Sequence, residues 1–507
     1  MKRFLLCAIV LSGVALSLNA QQDNTKFGSD MMRSFQEYRK QMYTEYENYL
    51  GEINKQYADF LREAWKPIIG EKAVPKPKKE PEPIVVPPVV IPDNEPQPKP
   101  IDRPIVIEEV IPNPQPEPAP EPQPVIEIKE VPQPVQATIN VVFYGLQPQL
   151  RYNKTQTPRL QKQTDENAVA KMWETLCDGR ANNLLIDCLN FRKDNSLCDW
   201  AYFQFLQLVS EQIYSGLADQ NEKHVFLAFM LNQSGFKTRM ARDDDKQLHL
   251  LVATDSQLYD YNRWTIDNDQ YFLLEEKNSP IHSLYITSHR FPEDKALRIG
   301  IAEQNNFGKN MSTPRHLQSK RYPAAQADVV CNTDLINFFN SYPTSVADQD
   351  VMTRWWFYAM TPLNKASEES LYPALKAAIA GKTEEQAANI LINFVQTAFT
   401  YGYDNEVWGH DRAFFAEETL FYPYSDCEDR AILFSRLVRD LIGLDVILIM
   451  YPGHMATAVH FNQSVKGDYV TYNGKRYLVC DPTYINAPIG ITMKGMDNNK
   501  IKAIALQ

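Results

Sequence analysis

Apolar positions along this chain change their period several times, and each change marks an element. Between residues 27 and 66, Met31, Phe35, Tyr38, Met42, Tyr46, Tyr49, Ile53, Tyr57, Phe60 and Trp65 recur at spacings of three to five, with charged residues between. That period predicts one long amphipathic helix. Twenty prolines then fall between Pro75 and Pro134, mostly in Pro-x-Pro steps with Glu, Gln, Lys and Val. Such a run lacks amide hydrogens that a helix or a central strand needs, so 67–136 reads as an extended, polyproline-type spacer.

From Thr138 the pattern is globular. Ile139 to Gly145 reads as a strand with a turn, and helical periodicity follows at Ala168–Leu176 and Asp199–Leu217. Residues 221–275 read as helix, Gly235, strand, turn, strand, strand. Leu284–Thr287 and Leu297–Ile301 alternate as strands, and three helical stretches occupy about 347–401. The predicted class is α+β, with helices packed on small antiparallel sheets. The expected division is 1–20, 27–66, 67–136, an α+β domain at 137–280, a β-rich connection at 281–345, and a last domain at 346–507.

The last domain carries the candidate chemistry. Ser425 and Asp426 are N-cap types, and Glu428 and Asp429 suit a first helical turn. Ile432, Leu433, Leu437, Leu441 and Ile442 then form an apolar stripe that stops at Gly443. Cys427 therefore opens a helix, where backbone N–H groups favour a thiolate, provided the adjacent acids cap the helix rather than face the sulfur. Val446–Met450 is a buried strand, Tyr451-Pro452-Gly453 breaks it, and His454 starts the next. A histidine there suits a general base toward a thiol. His460, at the far end of that strand, and His410, in a loop, are the rivals. Asp481 ends a third strand before Pro482, where it can accept the imidazole N–H and hold its tautomer. Each interval, Cys427 to His454 and His454 to Asp481, is 27 residues. The backbone N–H of Cys427 is one expected oxyanion donor, and Trp408, Tyr422 and Tyr424 are candidates for a second.

Composition narrows the class. The formal charge is −11, and no Lys/Arg stripe offsets it, which argues against a nucleic-acid partner. Lys2 and Arg3, the apolar run Phe4–Leu18, and Ala20 at a cleavage point predict an exported protein, in the periplasm or at the cell surface. No later run is long enough to span a membrane. Six cysteines follow the leader: too few for a disulfide scaffold, although Cys177, Cys188 and Cys198 could supply one bridge. No CxxC pair exists, so no metal is expected, and no cofactor motif is present.

Asp426-Cys427-Glu428-Asp429-Arg430-Ala431, Gly453-His454-Met455-Ala456 and Cys480-Asp481-Pro482-Thr483-Tyr484 together resemble the transglutaminase-like superfamily, the papain-related cysteine fold. The resemblance spans about 380–490. It implies a cysteine-bearing helix packed on a small antiparallel sheet. It carries the roles of nucleophile, base and orienting acid onto Cys427, His454 and Asp481. It does not fix the reaction, since the superfamily includes cross-linking transferases, peptidases, amidases and inactive binding modules. The middle of the chain repeats the plan: Asn221–Leu227 aligns with Cys427–Leu433, Gly235 with Gly443, the strand at Gln247–Val252 with that of His454, and Tyr271–Glu275 with Tyr477–Asp481. In that degenerate copy Asn221 replaces the cysteine. The expectation is an exported cysteine hydrolase or acyl transferase acting on amide bonds of proteins or peptides. The alternative is an inert surface or periplasmic binding protein on the same scaffold. Helix 27–66 offers a surface for self-association or a partner.

Overall fold

The computed structural model describes residues 54–76, 89–92, 95–111, 138–160, 164–216, 219–288, 294–346 and 353–506. The leader, most of helix 27–66 and parts of the Pro-rich run lie outside these residues. Contacts divide the chain into two units, Met1–Tyr57 and Ala58–Gln507. The second unit is mixed α and β, with mostly antiparallel sheets. No helix among the described residues is long and apolar enough to cross a membrane.

Two sheets organise this second unit, and they share an order. In the C-terminal sheet the strands run Asp468–Tyr472, Lys475–Cys480, His454–Val459, Val446–Tyr451, Ile501–Ala505, each antiparallel to the next. In the N-terminal sheet they run Arg263–Ile266, Asp269–Leu273, Leu248–Thr254, Thr238–Arg242, Ser283–Ile286, again all antiparallel. Position by position the chain order is the same. A helix precedes each set, Cys427–Leu441 and Gln220–Gln233, and packs on the central strand. A second helix, Glu384–Ala398 or Asp199–Ile213, backs the first. The strand Ser283–Ile286, placed by the sequence pattern in a connecting region, is thus part of the first sheet.

Each sheet is closed by a segment from upstream. Arg103–Ile105 pairs in parallel with Asp468–Tyr472, and Ile107–Ile111 in parallel with Ile501–Ala505, at the opposite edge. Only Val106 separates the two pairings, so one extended segment joins both edges and makes a barrel. Its interior holds Ile105 with Ile447, Ile449, Tyr451, Ala456, Val470 and Val479. In the first barrel, Lys66–Ile69 pairs with Ser283–Ile286, and Glu71 bridges Arg263 at the other edge. Gly70 stands between, where a Cβ would fall 2.3 Å from the Trp264 ring.

At 66–69 and 103–111 these strands correct the reading of an extended spacer; 77–88 and 112–137 lie outside the described residues. Around Ile105 the run is rich in Ile and Val, with Ile105 and Ile111 buried, and ion pairs fix its ends: Arg103 to Asp468 at 2.6 Å, and Lys502 to Glu109 at 2.6 Å. A proline is tolerated in a strand that no ladder bond requires to donate at that point. Val90 also bridges Ile485, and Ile91 packs on Tyr484, Ala487 and Met493. Of helix 27–66, the described residues are helical at 54–62, and Lys66, biased to extended backbone by Pro67, begins a strand. Leu297–Ile301 is not a strand either. Leu297, Ile299 and Ile301 are buried in alternation, but only a single bridge, Thr254 to Leu297, forms.

Candidate active site

Local sequence explains why the site forms where it does. Asp429 caps the helix start: its Oδ2 accepts from Asp426 N at 3.1 Å and its Oδ1 from Phe414 N at 2.9 Å. Ile432, Leu433, Leu437 and Val438 are fully buried below, each worth about 1.5–3 kcal/mol, which fixes the helix on the sheet. Cys427 is its first residue and is buried. Arg430, one turn on, donates to Ser425 Oγ (3.2 Å), Gln396 O (3.3 Å) and Phe399 O (3.1 Å). Burial pushes its guanidinium down to about 10 against the pull of Tyr401, Asp426, Asp429 and Cys427. It is the buried cation of this helix start.

Histidine and aspartate meet across two neighbouring strands. Pro452 and Gly453 make the tight turn, with Gly453 at φ +72°, a left-handed conformation that suits glycine. Tyr451 and His454 then face each other as the last cross-strand pair, with ring centroids 6.2 Å apart. His454 Nε2 lies 2.9 Å from Asp481 Oδ2, and both residues are buried. Asp481 Oδ1 accepts from Thr483 N (2.8 Å) and Tyr484 N (3.2 Å), so the carboxylate is held on both sides. Being an acceptor, Asp481 assigns the proton to Nε2 and leaves Nδ1 as the basic nitrogen. Gln396 Nε2 faces the carbonyls of Asp481 (3.1 Å), Tyr484 (2.7 Å) and Ala487 (3.1 Å). Helix Glu384–Ala398 therefore ties together the aspartate turn, through Gln396, and the cysteine helix, through Arg430.

The acids divide differently from expectation. Asp429 caps, but Glu428 turns to the sulfur: Cys427 Sγ donates to Glu428 Oε2 at 3.0 Å. A carboxylate there opposes negative charge on sulfur. Oxygens of Asp404, Asp411 and Glu428 lie within 4.8 Å of one another, as do those of Asp404, Asp426 and Asp429. Such crowding could hold a hard cation. Protein cations already serve it: Arg354 lies 3.3 Å from Asp411, Lys76 donates to the Asp411 carbonyl at 2.8 Å, and Arg430 stands beside Asp426 and Asp429. No metal is inferred.

The other candidates lie elsewhere. His460 Nδ1 meets Arg476 O at 2.9 Å, and His410 is exposed. Trp408 and Tyr422 meet edge-to-face at 5.0 Å beside the Arg412 guanidinium, and Tyr424 is exposed. Cys177, Cys188 and Cys198 are free thiols, so the bridge allowed by their spacing is not formed. Burial pushes Cys177 up to about 12 and Cys198 up to about 11, as expected of inert thiols. In the first barrel Asn221 Oδ1 accepts from Leu248 N at 2.7 Å. Leu248 holds the last hairpin pair there, opposite Arg242, as His454 does opposite Tyr451. His224 is engaged by Glu275 at 3.0 Å and His249 by Asp243 at 3.0 Å.

No protein-family model, curated protein or solved structure matches this chain.

Proposed function

We propose that this chain is an exported, transglutaminase-like cysteine hydrolase or acyl transferase that acts on amide bonds of proteins or peptides. The observation that carries the reading is the buried His454–Asp481 pair, 2.9 Å apart, on the strand against which the helix opened by Cys427 packs. In the reaction, Cys427 Sγ attacks the carbonyl carbon and its proton passes to His454 Nδ1. Asp481 stabilises the imidazolium through Nε2–H. The C–N bond then breaks, the leaving amine takes the proton from His454, and the thioester goes to water or to a second amine.

The first barrel is read as a silent copy. Its strand order and preceding helices support that reading, and Asn221 stands where the sulfur would be. One observation favours the alternative, an inert binding protein: the Glu428 carboxylate on the Cys427 thiol. Incubating wild type and Cys427→Ala with peptide mixtures, followed by mass spectrometry, decides between them. Products that appear only with wild type support the enzyme. Identical product profiles would leave the scaffold reading.

A further inference from the structure

Thr400–Tyr401 and Tyr424–Ser425 form a short parallel pair, in register Thr400 to Tyr424 and Tyr401 to Ser425. Gly402 N continues it, donating to Ser425 O at 3.3 Å. The two chains approach so closely that a Cβ at Gly402 would lie 2.9 Å from the Tyr424 Cβ. Tyr403 is still extended, at φ −83° and ψ 137°. Two more steps in the same register would bring Gly402 opposite Asp426 and Tyr403 opposite Cys427, the first residue of the helix. The next residue supports this placement independently, because Asp404 has its carboxylate within 4.8 Å of those of Asp426 and Glu428, the two neighbours of Cys427.

The ring of Tyr403 is braced. It meets Tyr401 edge-on at 5.2 Å, and the buried Arg430 guanidinium lies 5.2 Å from the other ring. Tyr403 is half-buried, so its hydroxyl is neither sealed in the core nor fully solvated. Burial, and then the charges of Glu406 and Cys427, raise its pKa above that of an ordinary phenol. The phenol is therefore a proton-bearing donor at neutral pH, within electrostatic reach of the sulfur.

We infer that Tyr403 is the side-chain donor that completes the oxyanion site over Cys427. This rests on the cysteine-nucleophile reading above. As the S–C bond forms, the carbonyl π pair moves onto oxygen, and that oxygen accepts hydrogen bonds from the Tyr403 hydroxyl and from backbone N–H at the helix start. Tyr403 keeps its own proton throughout, while the thiol proton goes to His454. When the C–N bond breaks, the pair returns and the carbonyl re-forms. Trp408 and Tyr422, which the sequence offered for this role, are engaged with Arg412 instead.

Two reactions of the same sulfur test the assignment. Acetylation by p-nitrophenyl acetate passes through an oxyanion, and alkylation by iodoacetamide does not. Tyr403→Phe should slow acetylation, followed by release of p-nitrophenolate and by intact mass, about 10- to 100-fold. It should leave alkylation of Cys427 within about twofold and the thermal midpoint near that of wild type. Unchanged acetylation overturns the inference, as does an equal fall in both rates, which would mean a structural role. Cys427→Ala separates the two levels: if it releases p-nitrophenolate as fast as wild type, the nucleophile reading itself fails.

Discussion

Glu428 accepts the thiol proton of Cys427 at 3.0 Å, between adjacent residues of one buried helical turn. On the proposed mechanism the thiol proton must turn from Glu428 to His454 before the sulfur attacks. The carboxylate opposes a thiolate at Cys427, and removing its charge should favour one. Glu428→Gln is expected to raise the iodoacetamide rate of Cys427 at pH 7 about three- to tenfold. A lower rate would mean that Glu428, not His454, serves as the base.

Asp481 is expected to act through the tautomer of His454. Asp481→Asn keeps the size of the side chain but presents an amide in place of one acceptor oxygen. Acetylation of Cys427 should fall about a hundredfold or more. The thermal midpoint should shift much less than in Asp481→Leu, because an amide can still accept from Thr483 N and Tyr484 N.

A pH dependence of stability follows from Glu417. It is buried in the short helix Ala416–Phe421, where its oxygens accept from Ser367 Oγ and from Asn364 N at 3.0 Å. Burial pushes its carboxyl up to about 7. The folded state then binds a proton more tightly than the unfolded state, whose carboxyl titrates near about 4.3. The stability contributed is present below about pH 4 and declines as pH rises through about 7. Urea midpoints at pH 5 and pH 8 should differ in that direction, and Glu417→Gln should reduce the difference.

The closing strand of the C-terminal barrel is tested by Ile105, which is buried among Ile447, Val470 and Val479. Ile105→Ala should cost about 2–4 kcal/mol by denaturant unfolding. The exposed neighbour Val106 makes the control, and Val106→Ala should change stability by less than about 0.5 kcal/mol. Equal effects at the two positions would show that 103–111 is not the closing strand.

Local chemistry was legible in the sequence, and long-range closure was not. The helix at Cys427 announced itself by cap residues and a stripe of Ile and Leu. The turn before His454 did so by Pro452-Gly453, and the aspartate by the strand that ends at Cys480. All of these signals lie within a few residues of the group they place. The orientation of Glu428 is a choice of rotamer, which no pattern encodes. The barrel closures pair residues that are far apart in the chain, such as Arg103 with Asp468 and Glu71 with Arg263. The Ile and Val of 103–111 carry part of that information, but they follow no period of two, and the prolines around them read as a spacer. Tyr403 was missed because its link to Cys427 runs through a two-residue parallel pair, too short to show a period.

The closure of the C-terminal barrel also sets a time order. Ile107–Ile111 is translated hundreds of residues before its partner Ile501–Ala505. Until that partner exists, the ring that holds His454 against Asp481 has an open side. Contacts of such large sequence separation form late in folding. On the proposed mechanism Cys427 would therefore gain a fully enclosed base only when nearly the whole chain is present, and a partly made chain would carry an unarmed thiol.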